Sequence, residues 1–448
     1  MVKRVNFMRA YLGNITLSGI TAPGIVVEFD KPWRLVLWSK AQYVPCWDLG
    51  RGVWSTLEWL ETISPDNNHC YEPIMDKKNR YIRAEIIESG DARVTVRWHY
   101  ALCDSRYRIF HGNTTADEYW MVYPDGVAVR KLVAWPGNES DFGGNPDVWE
   151  VMEFMIINGD GTTPKENLEK PFFTLQNEEG DSVPLPEKRD KPLCIKYPQI
   201  ADWNIYIGRI YVADRPDPFV IFPRHRALFP FVNCHDCHKE HPHFEYMKPY
   251  NVNVHWPIYD KEDFVGGLDP EDLGNRYLAS HTSLFNCQYS HRPHGSGFSG
   301  ALIHRVSPNR PTTWLFLTGA TEDLKNSYLQ DLAKSWLYPA KIRVGEEKHR
   351  RRISYGDYYL LYEGYSYSER AYVFRKSGKD NVVFTVKPRV KVVNPVFIIN
   401  QWASREVTVS VNGENLSEEE YKAQLSGEDL IVWLNRDITE STEVRIFS

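Results

Sequence analysis

The chain has no run approaching the ~20 apolar residues that a membrane span requires, so no membrane-spanning segment is expected. It also lacks a phosphate loop, a dinucleotide-binding glycine fingerprint and a Gly-x-Ser-x-Gly elbow, which argues against nucleotide and esterase chemistry. Excess positive charge is missing: 53 Lys and Arg against 59 Asp and Glu leave a net charge of −6, so nucleic acid has no electrostatic foothold. Cysteine is sparse. Seven in 448 residues, an odd number widely scattered, do not make a disulfide framework. No fixed-period repeat is present, which counts against a β-propeller. The opening residues, Met1-Val-Lys-Arg-Val-Asn-Phe-Met8, carry no apolar h-region. A cytoplasmic location is therefore expected, or a secreted or periplasmic one if a leader has been removed.

What the chain has is β-strand pattern. Its length exceeds the size at which single hydrophobic cores stop growing, so two or three domains are expected. Arg93-Val-Thr-Val-Arg-Trp-His-Tyr100 alternates strictly, with Val94, Val96, Trp98 and Tyr100 on one face. Glu118–Tyr123 and Val127–Val133 flank Pro124-Asp125-Gly126, where proline presets φ and glycine accepts a left-handed conformation, the mark of a hairpin. Val407–Val411 followed by Asn412-Gly413 predicts another, with Leu430–Leu434 as a partner strand. Only Thr321–Leu337 predicts a helix: Thr321 can cap it, Leu324, Tyr328, Leu332 and Trp336 fall four apart, and Pro339 ends it. The expected fold is all-β. A large antiparallel β-sandwich would span residues 1–198, a central segment 199–345 would close its cleft, and a small C-terminal β-sandwich would span 346–448. A β-propeller is the alternative.

Histidine is concentrated. Ten of the 14 lie between Arg224 and His304, together with Cys234, Cys237 and Cys287. Imidazole switches charge near neutral pH and is the commonest metal ligand. Cys234-His-Asp-Cys237-His238-Lys-Glu-His241-Pro-His243 admits three readings. The thiolates and imidazoles could bind zinc, structural rather than catalytic, with Cys287 as a possible further ligand. The same pattern could attach a c-type haem, or the histidines could be unliganded in a polar loop. His255 and His281 are candidate general acids or bases. Arg224, Arg226 and Arg276 are candidate clamps for a substrate carboxylate, which a guanidinium grips bidentately. Three carboxylate sets offer acid/base pairs: Glu72 with Asp76, Asp117 with Glu118, and Glu150 with Glu153.

Several stretches together resemble a widespread bacterial family associated with polysaccharide breakdown. They are Tyr43-Val-Pro-Cys-Trp47, Glu72-Pro-Ile-Met-Asp-Lys77, Asp117–Lys131, His255-Trp-Pro-Ile258, Ser280-His-Thr-Ser-Leu284 and Leu332-Ala-Lys-Ser-Trp-Leu337. The resemblance spans roughly Gly24 to Pro339 and implies a carbohydrate context, without assigned catalytic residues. In residue types alone, the histidine segment is similar to ulvan and other uronate lyases, which use His, Tyr and Arg and can hold a structural zinc. Those lyases are propellers, which this chain does not resemble. The expected function is a carbohydrate-active enzyme on a polysaccharide or oligosaccharide substrate. The favoured reaction is β-elimination beside a uronic acid, with Arg224 or Arg226 on the carboxylate, His255 as base, and Tyr250 or His281 protonating the leaving oxygen. The alternatives are a glycoside hydrolase using Glu72 and Asp76, and a non-catalytic sugar-binding protein.

Overall fold

The computed structural model describes residues 7–63, 70–138, 149–160, 162, 164–183, 197–224, 228–232, 280–289, 311–323, 325, 327–344, 361–362, 364–375 and 381–448. Strands dominate, as the alternation requires. One sheet of ten strands runs in the order Arg9–Leu17, Ile20–Glu28, Arg34–Trp38, Pro45–Asp48, Val53–Thr56, Trp149–Asn158, Ser280–Tyr289, Leu228–Val232. Glu61–Ile63 attaches beside Trp149–Asn158 and carries Cys70–Tyr71 on its far edge. A second sheet of nine runs Ser182–Val183, Leu168–Gln176, Ile205–Val212, Asp217–Pro223, Thr312–Thr321, Val127–Trp135, Thr115–Val122, Val94–Ala101, Arg83–Ser89. All their pairings are antiparallel and neither sheet closes into a barrel. The stretch 199–345 thus contributes strands to both sheets.

The two sheets face each other across one apolar core. Val94, Val96, Trp98 and Tyr100 are 0% exposed, so the face that alternation selected is the buried one. Rings meet across the gap: Trp47 packs edge-on against Trp120 at 6.3 Å, and Phe173 stacks on Phe285 at 5.2 Å. Seven tryptophans, Trp38, Trp47, Trp54, Trp59, Trp98, Trp120 and Trp149, are fully buried. Rings this large carry much of the burial energy, at roughly 25 cal/mol per Å².

The outer face of the nine-stranded sheet is covered as well. Met121, Tyr123, Val129, Ile207 and Leu317 join a second core with the helix Ser327–Leu337 and the C-terminal strands. That double coverage explains why Thr312–Thr321 is buried over nearly its whole length rather than alternating. The helix presents Leu329, Leu332, Ala333 and Trp336 to this core. It starts at Ser327, not at Thr321 as its capping residue suggested. Thr321 is still paired as strand with Asp217, and its hydroxyl accepts the amide of Asp323 in a local turn. Tertiary pairing has overridden a local capping signal.

The C-terminal part is a second sandwich of a five-stranded and a six-stranded sheet. Asn412 and Gly413 both adopt positive φ, as the Asn-Gly turn demands, and link Thr408–Val411 to Glu414–Asn415. The partner expected for the first strand was wrong. Thr408–Val411 pairs with Thr442–Phe447, whereas Asp429–Leu434 lies in the other sheet, between Val396–Asn400 and Tyr421–Ser426. The return strand ends after two residues, and the chain then crosses between sheets. This sandwich is tied to the first: Arg370 pairs with Asp125 of the Pro-Asp-Gly turn at 2.6 Å, and Arg93 pairs with Glu369 at 3.1 Å.

Candidate functional site

Five glutamates gather where the ten-stranded sheet is interrupted. Trp149–Asn158 pairs along Met155–Asn158 with Val53–Thr56, and at Trp149–Glu150 with Thr62 and Glu61. Between those pairings residues 57–60 leave the ladder. Leu57, Trp59 and Leu60 turn into the core, while Glu58 sits in the left-handed region at φ 55. For a non-glycine residue that conformation is held only where the surroundings over-determine it.

A buried polar network does the holding. Arg130 and Glu118 are both 0% exposed and paired bidentately, at 2.6 Å and 2.8 Å. The same guanidinium donates to the carbonyls of Leu57 at 3.1 Å and Glu58 at 3.4 Å. Tyr100 donates its hydroxyl proton to Glu118 and accepts the amide of Leu60. Trp120 completes the set on Glu118 Oε2. The Glu58 amide donates to Thr56 Oγ1, and the Glu153 amide donates to the Leu57 carbonyl.

Glu150 and Glu153 reach the cluster through a β-bulge. Residues three apart on a regular strand face opposite ways. Here Glu150 lies opposite Gln288, Met152 opposite Cys287, and Glu153 opposite Asn286, so Val151 is an extra residue with no counterpart. The bulge returns Glu153 to the face of Glu150. A second irregularity falls between Phe154 and Met155, where the pairing passes from Phe285 to Ser283. Glu150 and Glu153 are partly exposed, whereas Val151, Met152 and Phe154 are buried. Carboxylate oxygens of Glu58, Glu150 and Glu153 all lie within 4.8 Å of one another. Three oxygens at that spacing are a set that could hold a metal ion.

Glu61 lies directly opposite Glu150, an arrangement of like charges that destabilises a ladder unless one is neutralised. Burial, then the charges of Glu72, Glu150 and Glu153, push the Glu61 carboxyl well above the usual carboxylate range. Burial, then Glu153 and Glu61, do the same to Glu58. Glu72 is fully buried and bridges to Cys103 in the backbone. Beside it Lys77 is pulled down to about 8 by burial, with Glu72 opposing the shift.

Of the residues singled out in the sequence, Glu72, Glu150 and Glu153 are therefore brought together. Asp76 has another role: its two oxygens accept the amides of Arg80 and Tyr81 and close a local turn. Asp117 accepts from Arg97, His99 and Trp135, and Glu118 is committed to Arg130. Arg224 is exposed at the end of its strand, its amide on the carbonyl of Asn204. The backbone of His281 pairs with Ile157, remote in register from Glu153. Cys287 is buried in the hydrophobic core opposite Met152. Tyr250, His255, Arg226, Arg276 and the proposed zinc ligands Cys234, Cys237, His238, His241 and His243 lie outside the described residues. Glu58 and Glu61 were missed. Their signal was two acids in Trp54–Leu60 and its continuation, a stretch otherwise apolar enough to be buried.

No protein-family model matches the chain, and no curated protein does. Among the described residues no helix is long and apolar enough to cross a membrane.

Proposed function

We propose that the protein is a carbohydrate-active hydrolase that draws its acid and base from this glutamate cluster. One feature carries the reading: Glu61 is partly exposed and lies directly opposite Glu150, and burial followed by the charges of Glu72, Glu150 and Glu153 raises its carboxyl well above the usual carboxylate range. Glycoside hydrolysis needs one carboxylic acid to protonate the leaving oxygen and one carboxylate to act as base or nucleophile. Environments that hold carboxyls of one site in different protonation states supply both roles. Glu61 is the acid in this reading. Glu150, opposite it on the next strand, is the base or nucleophile. Lys77 adds a cation beside Glu72, its pKa lowered by burial to about 8. The carbohydrate substrate rests on the sequence resemblance, and the acid/base roles rest on the cluster.

The test is a panel of oligosaccharides and polysaccharides, including uronate-containing ones, with reducing ends and ultraviolet absorbance followed together. Hydrolysis yields reducing ends with no unsaturated product. Glu61→Gln lowers the rate by ~10²–10⁴-fold, the range for losing a positioned acid or base. An unsaturated product formed undiminished by Glu61→Gln would overturn the reading in favour of β-elimination.

A further inference from the structure

We propose that Glu58, Glu150 and Glu153 form a binding site for a hard divalent cation, with Ca²⁺ the ion expected. Its readout is binding, so it is tested apart from the hydrolase reading; a bound cation would take Glu150 and quench the charges that raise Glu61, so the acid and base roles belong to the metal-free cluster.

The geometry comes first. Calcium takes six to eight oxygens at about 2.3–2.6 Å, so two oxygens on one ion can be no more than about 5 Å apart. The three glutamate oxygens satisfy that limit, all lying within 4.8 Å of one another. Magnesium, at about 2.0–2.1 Å, would need them drawn within about 4.2 Å. Carboxylates alone, with no thiol or imidazole in the set, suit a hard ion over a soft one.

The second observation is Glu58 itself. It is 3% exposed; its carboxyl shares a hydrogen bond with Glu153, and its Oε2 has no hydrogen-bond partner among the described residues. A buried acceptor left without a donor is destabilising, more so when charged. Nearby Arg130 does not answer it, since its guanidinium is taken up by Glu118 and the carbonyls of Leu57 and Glu58. The fold nevertheless holds Glu58 in a left-handed backbone conformation with two carbonyl clamps and an amide-to-Thr56 bond. Exposing this side chain would relieve the buried acceptor at once. A cation relieves it in place: it takes the oxygen left without a donor and balances three acids.

The experiment uses the full chain, stripped with a chelator and dialysed against Ca²⁺, Mg²⁺ or Mn²⁺ singly, with bound metal counted and thermal unfolding recorded. The expected result is about one equivalent of Ca²⁺, with a melting temperature that rises with its concentration by mass action. Glu153→Gln and Glu150→Gln each lower the affinity by about 10²-fold or more, since even outer-shell changes cost 10–100-fold. Both variants remain folded in chelator, because an amide keeps the shape and removes a repulsion. The exposed Glu443→Gln binds like the parent. Uptake of Mn²⁺ or Mg²⁺ in place of Ca²⁺, lost in the same variants, also supports the site. Absence of uptake, or uptake that survives both variants, overturns it. Binding that persists in a protein inactive on every glycan would sink the hydrolase reading and leave this one standing.

Discussion

Replacing Arg130 with methionine tests the network that holds the Glu58 turn. The methionine fills much of the volume but makes none of the five contacts: two to Glu118, two to the carbonyls of Leu57 and Glu58, and the approach to the Phe316 ring at 5.4 Å. Removing one partner of a buried pair costs about 3–5 kcal/mol, because the other charge stays behind uncompensated. Each abandoned carbonyl adds about 1 kcal/mol or more. The sum, about 5–7 kcal/mol, rivals the total stability of many domains. With a urea slope near 3 kcal/mol/M it lowers the first unfolding midpoint by about 1.7–2.3 M. Adding Glu118→Gln removes the stranded charge, and its single amide oxygen still accepts from one of Tyr100 and Trp120, which donate to different oxygens of Glu118. The double variant therefore recovers about half the loss or more. An Arg130→Met midpoint within about 0.3 M of the parent, or a double variant as unstable as the sum of the singles, would refute the reasoning.

Two further outcomes follow from local geometry. Gly413→Ala costs about 1 kcal/mol, read as a lower melting temperature of the C-terminal sandwich, because φ is +86 there and nothing within 4 Å relieves the strain. Cys46 and Cys103 stay unlabelled by thiol reagents at pH 8 in the folded protein and react once it unfolds, as peptide mapping would show. Burial pushes both thiols far above their ordinary range, and the thiolate is the reactive form.

The sheets were legible in the sequence because alternation and turn chemistry are local. Val94 to Tyr100, Pro124-Asp125-Gly126 and Asn412-Gly413 each announce their conformation within a few residues. The failures share a cause of the opposite kind. Thr321 could cap a helix but is claimed by Asp217 on another strand, and Asp429–Leu434 is claimed by the opposite sheet. The candidate site shows the same division. Glu72, Glu150 and Glu153 were visible as acids, and Asp76 was equally visible but serves a turn. Glu58 and Glu61 gain much of their character from Glu150 and Glu153, which lie about ninety residues further along the chain. No property of Glu58-Trp-Leu-Glu61 alone reveals the carboxylates that face it.

The pairing of Trp149–Asn158 with Ser280–Tyr289 has a consequence for how such a site can be carried by a sheet. The first irregularity adds Val151 on one strand, and the second adds Leu284 on the other. The two slips are equal and opposite. Before the first and after the second the ladder runs at the same offset, so the altered phase is confined to the short window that contains Glu153. The pairs on either side share one register, and Ile156 and Ile157 lie buried in the core. A change of chain length at one slip alone would carry the error along the rest of the strand. Matched changes at both would cancel, leaving the scaffold intact while only the acidic face is redrawn.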